Sequence, residues 1–177
     1  MKKLILILFL VPALCHGQKF ISDISYIKFY SDAPIEDIEA ENTKSKSVID
    51  LELGQVAFSV PIDAFEFDKS LMQEHFNENY LESDKYPKAT FKGKIIDWKE
   101  KKGKQEVEVE GEMTIHGVTR NIKIVGNIDV AEQKVNVESV FDISVADYKI
   151  KIPKAVFYNI AEVVEVTVKF SYKPYDN

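Results

Sequence analysis

Cysteine is almost missing from this chain: among 177 residues the single one is Cys15. No disulfide framework can form, and beyond that position there is no thiol nucleophile and no thiolate metal ligand. Histidine is nearly as scarce, with His16 beside Cys15 and only His75 and His116 further on. A four-ligand zinc site would then need two carboxylates, and although His75 and Glu78 can share a helical face, such a pair is common by chance, so no metal site is expected. The seven glycines form no phosphate-cradling loop, no dinucleotide fingerprint and no Gly-x-Ser-x-Gly elbow. Glu108 and Glu110 share a strand face, but with Glu106 and Glu112 they read as a solvated acidic edge rather than an acid and base in a dry pocket. No catalytic residue is assigned and no enzyme is expected; His75 would be the residue of the weakest alternative, a redox or hydrolytic enzyme.

Positive charge is also in deficit, 23 basic residues against 29 acidic ones for a net charge of −6. Such a chain repels phosphate backbones, which excludes nucleic acid as a partner and leaves transient apolar contact with a membrane or with envelope proteins. Long apolar runs are absent as well. The longest, Leu4 to Val11, is about half the roughly 20 residues that a spanning helix needs. It follows Lys2 and Lys3 and precedes Pro12-Ala13-Leu14-Cys15-His16-Gly17, the order of a secretory signal peptide, with cleavage after Gly17. Cys15 offers lipidation as an alternative, although Leu14 is larger than that processing prefers. The expected product is one exported domain, residues 18–177, in the periplasm or secreted.

What is present in abundance is strand periodicity. Val107, Val109, Met113 and Ile115 alternate with Glu106, Glu108, Glu110, Glu112 and Thr114, and Gly111 breaks the apolar row as a bend or close approach would. Ile122, Ile124 and Ile128 form the next row across Gly117; Val135, Val137, Ser139, Phe141, Ile143 and Val145 another; Val164, Val166, Val168, Phe170 and Tyr172 the last. Earlier, Val56, Phe58, Val60 and Ile62 repeat the pattern, and 20–30, 35–41 and 48–51 add less regular strands. The fold expected is all-β: an antiparallel barrel of about eight strands, with a two-sheet sandwich as the alternative.

One helix interrupts the strands. Ser70 and Gln73 have capping-box spacing, and Leu71, Met72, His75, Phe76 and Tyr80 form an apolar face, with Glu74, Asn77 and Glu78 facing away. Alternation directs Phe58, Val60, Phe91, Val109, Met113, Ile124, Val137, Phe141, Val166 and Val168 inward, and Glu108, Lys123 and Thr167 to water. His116, beside the Gly117 turn, is expected to face solvent. Periodicity does not tell a filled lumen from a hollow one.

Two segments, Asp84 to Gly93 (containing Lys85-Tyr86-Pro87-Lys88-Ala89-Thr90-Phe91) and Gly111 to Arg120 (Gly-Glu-Met-Thr-Ile-His-Gly-Val-Thr-Arg), resemble the paired signatures of the YceI-like family. His75-Phe76 on the helix, and Phe141, Ile143, Asp147, Tyr148 and Ile150 later, continue the resemblance. It implies a lipocalin-like barrel of bacterial periplasmic type that carries an apolar lipid, a polyisoprenoid or quinone-like molecule, with no other cofactor. Lumen residues would be the ten inward positions, and Leu71, Met72, His75 and Phe76 would surround the mouth. Ile24-Ser25 and Met72-Gln73 depart from the family's polar pairs, which leaves the headgroup open. Each buried methylene contributes about 0.8 kcal/mol, so an isoprenoid chain gains on the order of 10 kcal/mol before ordering costs. The alternative without a ligand is a filled barrel serving as an envelope or stress interaction module. Oligomeric state is not legible.

Overall fold

The computed structural model describes residues 19–32, 37–152 and 161–175. The signal-peptide and Cys15 readings, and Ile35 and Glu36 of one expected strand, lie outside the described residues. Nine strands follow in order: β1 (Lys19–Ser31), β2 (Ile38–Asn42), β3 (Lys46–Asp50), β4 (Gln55–Pro61), β5 (Lys88–Ile95), β6 (Gly103–Ile115), β7 (Val118–Val130), β8 (Val135–Ser144) and β9 (Val163–Pro174). A short helix α1 (Ser70–His75) stands between β4 and β5 and runs on as π-helical turns over Phe76–Tyr80.

Every pairing is antiparallel, and from β3 onward each strand pairs with the next. β9 returns to β1 along nearly its whole length, from Phe20 opposite Pro174 to Tyr30 opposite Glu165, and closes the ring. On its other edge β1 pairs first with β3 and then, past Ile27, with β2. These two short strands thus share one place, and the barrel is eight-stranded.

The handover from β2 to β3 depends on one buried amide. Asn42, fully buried, donates from Nδ2 to the carbonyl of Pro61 at 2.8 Å, and its Oδ1 accepts from Lys44 N at 2.9 Å and Ser45 Oγ at 3.0 Å. Ser25 Oγ adds a bond to the Thr43 carbonyl at 2.9 Å. The bend is thereby tied to both β1 and β4.

β1 explains its own irregular pattern. A bulge between Ser22 and Ile24 inserts one residue opposite the regular β9, so Phe20 and Ser25 both face inward while Ile24 is 61 % exposed. Gly111 is a close approach rather than a bend: a Cβ there would sit 2.3 Å from the Lys92 carbonyl oxygen across the β5–β6 ladder.

The end of the barrel holding the β3–β4, β5–β6 and β7–β8 connections is solid. Phe20, Ile49, Leu51, Ile95, Ile128, Val130, Val135 and Tyr172 fill it, and Trp98 closes it by donating its indole N–H to the Leu51 carbonyl. Because Ser47 Oγ donates to the Ala57 carbonyl, the Tyr172 hydroxyl donates to Ser47 Oγ, at 2.7 Å; burial pushes the Tyr172 phenol far above its usual range.

Replacing Asn42 by Ala strands the Pro61 carbonyl and the two donors that its Oδ1 serves. The variant is expected to lose about 2–4 kcal/mol with an unchanged denaturant slope, and a urea titration that finds it as stable as the parent would contradict this account of the bend.

Candidate functional site

At the opposite end the barrel is hollow. A cavity of about 310 Å³ opens there, walled by Phe29 of β1, Phe58 and Val60 of β4, Ala89 of β5, Met113 and Ile115 of β6, Phe141 and Ile143 of β8, and Val164, Val166 and Val168 of β9. The segment between β4 and β5 roofs it with Phe65, Phe67, Met72, His75, Phe76, Tyr80 and Leu81. Four of these rings form one cluster around Phe29, stacked on Phe76 at 5.4 Å and edge-on to Phe65 and Phe67 at 5.5 and 5.7 Å. The wall is apolar apart from Ser31, His75 and Tyr80. Ser31 Oγ already accepts from Ala161 N, and burial raises the Tyr80 phenol above its ordinary value.

A second, much smaller void of about 60 Å³ lies deeper, lined by the lower inward rows. Of the ten positions directed inward by alternation, Phe58, Val60, Met113, Phe141, Val166 and Val168 line the open cavity, while Phe91, Val109, Ile124 and Val137 border only the deep void. Lumen and core are therefore two levels of the same rows. Glu108 and Lys123 face water as an ion pair at 3.2 Å; Thr167, also on the outer face, is half-buried between Lys28 and Val140.

The helix departs from its sequence reading in three ways. Its N-cap is Lys69, without a side-chain cap, and Gln73 Oε1 accepts instead from Phe67 N at 3.4 Å, so the Ser70 capping box is not formed. Leu71 stands at the edge of the stripe made by Met72, His75 and Phe76 and turns outward; it is 60 % exposed and takes no part in the mouth, whereas those three do. The widened turns after His75, with Leu81 N bonded to the Phe76 carbonyl at 2.9 Å, keep Phe76, Tyr80 and Leu81 on the cavity side. Asn77, expected to face away, is partly buried and donates to the Gln73 carbonyl at 3.0 Å. Sequence reading also missed Phe29, Phe65 and Phe67; the alternation Phe65-Glu66-Phe67 was the available signal, and the backbone pairing of Glu66 with Glu41 shows why it exists.

His116 is not solvent-facing. It and Gly117 both take positive φ, +49° and +71°, a two-residue turn that only a following glycine makes easy, and the ring swings under the rim. Its Nε2 lies 2.9 Å from Glu82 Oε2, its Nδ1 lies 3.2 Å from the Tyr148 carbonyl, and the Tyr86 ring stands edge-on at 4.6 Å; the side chain is 11 % exposed. Arg120 Nε donates to the Asp147 carbonyl at 3.0 Å, and the Pro87 carbonyl accepts from Ile62 N at 2.9 Å. The two signature segments thus form a clamp joining the helix exit, the β6–β7 turn and the segment after β8. Among the described residues no group of three His, Cys, Asp or Glu side chains is placed to hold a metal ion.

Lys85 first, and His116 second, hold the Glu82 carboxyl below its ordinary value. A lowered folded-state value contributes stability that is present above the unfolded carboxylate range and is lost as pH falls through the lowered value. Glu82→Gln is accordingly expected to be less stable than the parent near neutrality and to approach it in acid. Thermal melts across that pH range that stay parallel would rule out the clamp as a source of stability.

The two levels also respond differently to added bulk. Val166→Trp is expected to fit the open cavity with little loss of melting temperature, whereas Val137→Trp overpacks the deep level at about 1–3 kcal/mol. Equal destabilisation of both in calorimetry would show the upper level to be as full as the lower.

With this geometry in view, the relatives are informative. A family model for the YceI-like domain matches residues 24–172. No curated protein sequence matches the chain. Among solved structures, a polyisoprenoid binding domain from Saccharophagus degradans superposes with TM-score 0.76 at 15 % identity, covering 90 % of this chain and 100 % of that one. BcnA of Burkholderia cenocepacia gives 0.72 at 14 % identity over 83 % and 95 %, and a Campylobacter jejuni YCEI protein 0.57 at 14 % over 99 % and 100 %. At such identities the superpositions speak for the fold, and the family match for the lineage: this chain belongs to the YceI-like family.

Proposed function

We propose that this protein binds the chain of an elongated apolar lipid, a polyisoprenoid, quinone-like or related amphiphile, inside its barrel, for carriage or sequestration in the bacterial envelope. The observation that carries the reading is the open cavity of about 310 Å³ with an almost wholly apolar wall. That size falls at the lower end of the roughly 300–1,000 Å³ usual for small-molecule sites. A fold of this size normally leaves few voids larger than a water, so an apolar opening of these dimensions supports a ligand rather than a packing fault. The Saccharophagus degradans relative, described as a polyisoprenoid binding domain, supports the lipid class.

Export belongs to the same proposal, on the strength of Lys2, Lys3 and the apolar run that follows. A non-catalytic role does too: among the described residues the cavity wall offers Ser31, His75 and Tyr80 as its polar side chains, and Ser31 Oγ is bonded to Ala161 N. One experiment addresses both points. Mass spectrometry of the protein isolated from its native host is expected to show a chain beginning at Gln18, and an organic extract of the same sample to yield a stoichiometric lipid that Val166→Trp protein lacks. A full-length mass would refute export, and a lipid-free extract would favour the filled-module alternative.

A further inference from the structure

The cavity ends well short of the barrel's other end, and the way it ends sets a limit on what can enter. The open level and the deep void share Phe58, Phe141 and Val168 as walls, so these side chains stand on the boundary between them. Phe58 on β4 stacks on Phe91 of β5 at 5.1 Å and meets Phe170 of β9 at 6.0 Å, and the three rings form a floor across the lumen. Below it the void of about 60 Å³ has room for about two methylene groups, each occupying about the volume of a liquid water, near 30 Å³. Above it, the same measure gives about ten chain carbons for about 310 Å³.

Charge around the mouth is mixed among the described residues: the roofing segment 62–80 carries exposed Asp63, Glu66, Asp68, Glu74 and Glu78, while exposed Lys149 and Lys151 flank the lining residue Ile150. The polar groups of the lining that can donate to a headgroup oxygen are the His75 imidazole and the Tyr80 hydroxyl.

We infer that the lumen sequesters about ten carbons of an amphiphile's chain, with Phe58 as the residue that fixes this length. The inference rests on the lumen being the lipid site. A longer isoprenoid would leave its remaining units outside the mouth, so this chain handles one end of such a lipid rather than enclosing it.

The test is displacement of N-phenyl-1-naphthylamine from delipidated protein by 1-alkanols of roughly six to sixteen carbons. Affinity is expected to rise about fourfold for each added methylene up to about ten carbons and then level off. Phe58→Ala joins the two levels and is expected to move the break to about fourteen carbons, with Phe58→Leu, a smaller change whose fold can be checked by near-UV circular dichroism, moving it in the same direction. A slope that continues unbroken in the parent protein, or a break unmoved in both folded variants, overturns the Phe58 limit. Failure of every alkanol to displace the probe is a different result, and removes the lumen reading itself.

Discussion

Everything inside this molecule follows from the pairing of β9 with β1. Once a ring of eight strands closes, its circumference is fixed, and each level of the interior has the same cross-section to fill. Side-chain size alone then decides whether a level is solid. At the closed end Phe20, Ile49, Leu51 and Tyr172 meet across the axis, and at mid-height Phe58, Phe91 and Phe170 do so. At the open end the inward positions include the short side chains Ser31, Val60, Ala89, Val164 and Val166, which leave the space between them open. The aromatic residues there, Phe29, Phe65, Phe67 and Phe76, stack among themselves as a side wall, so their bulk surrounds the space instead of occupying it.

This also separates what was legible in the sequence from what was not. Strand rows and their inward faces were legible because a period of two is a local property, and β6 to β9 show it, with Gly111 and Gly126 standing in two of the apolar rows. Hollowness was not, because it depends on which rows stand at the same height, a matter of register between strands far apart in sequence. Val166 and Val137 are equivalent by pattern yet lie at different levels. The errors share a cause. Leu71 and His116 both sit at the edge of a regular pattern, one at the margin of the helix's apolar stripe and the other in a left-handed turn whose positive φ redirects its side chain. Asn42 left no trace in the pattern, since a buried amide that satisfies its own bend looks in sequence like any loop residue.

The signature segments, which carried the family resemblance, turn out to hold the mouth rather than line it. Tyr86 covers Gly117 so closely that a Cβ there would meet its ring at 2.5 Å, and His116 reaches from the same turn to Glu82 and to the Tyr148 backbone. Of these two segments, Ala89, Met113 and Ile115 reach the cavity wall. The first segment also supplies Phe91 to the three-ring floor, so it bears on lumen depth as well as on the mouth.

The clamp matters energetically because an apolar hollow tends to collapse. Voids in protein cores cost about 24 cal/mol per Å³ where the walls cannot relax, so a closed void of 310 Å³ would approach the entire net stability of a small domain. Two features reduce that burden here: the mouth admits solvent, and the roof is tied through Glu82, His116 and the Ile62–Pro87 backbone bond to strands that cannot move inward without breaking the ring. What stays unfavourable is apolar wall exposed to the opening, and a ligand removes that exposure. By mass action a ligand at a hundredfold excess over its Kd stabilises the folded barrel by about 2.7 kcal/mol. The level that the sequence leaves unfilled is thus a place where an added apolar group is gained without strain, so that occupancy and stability rise together.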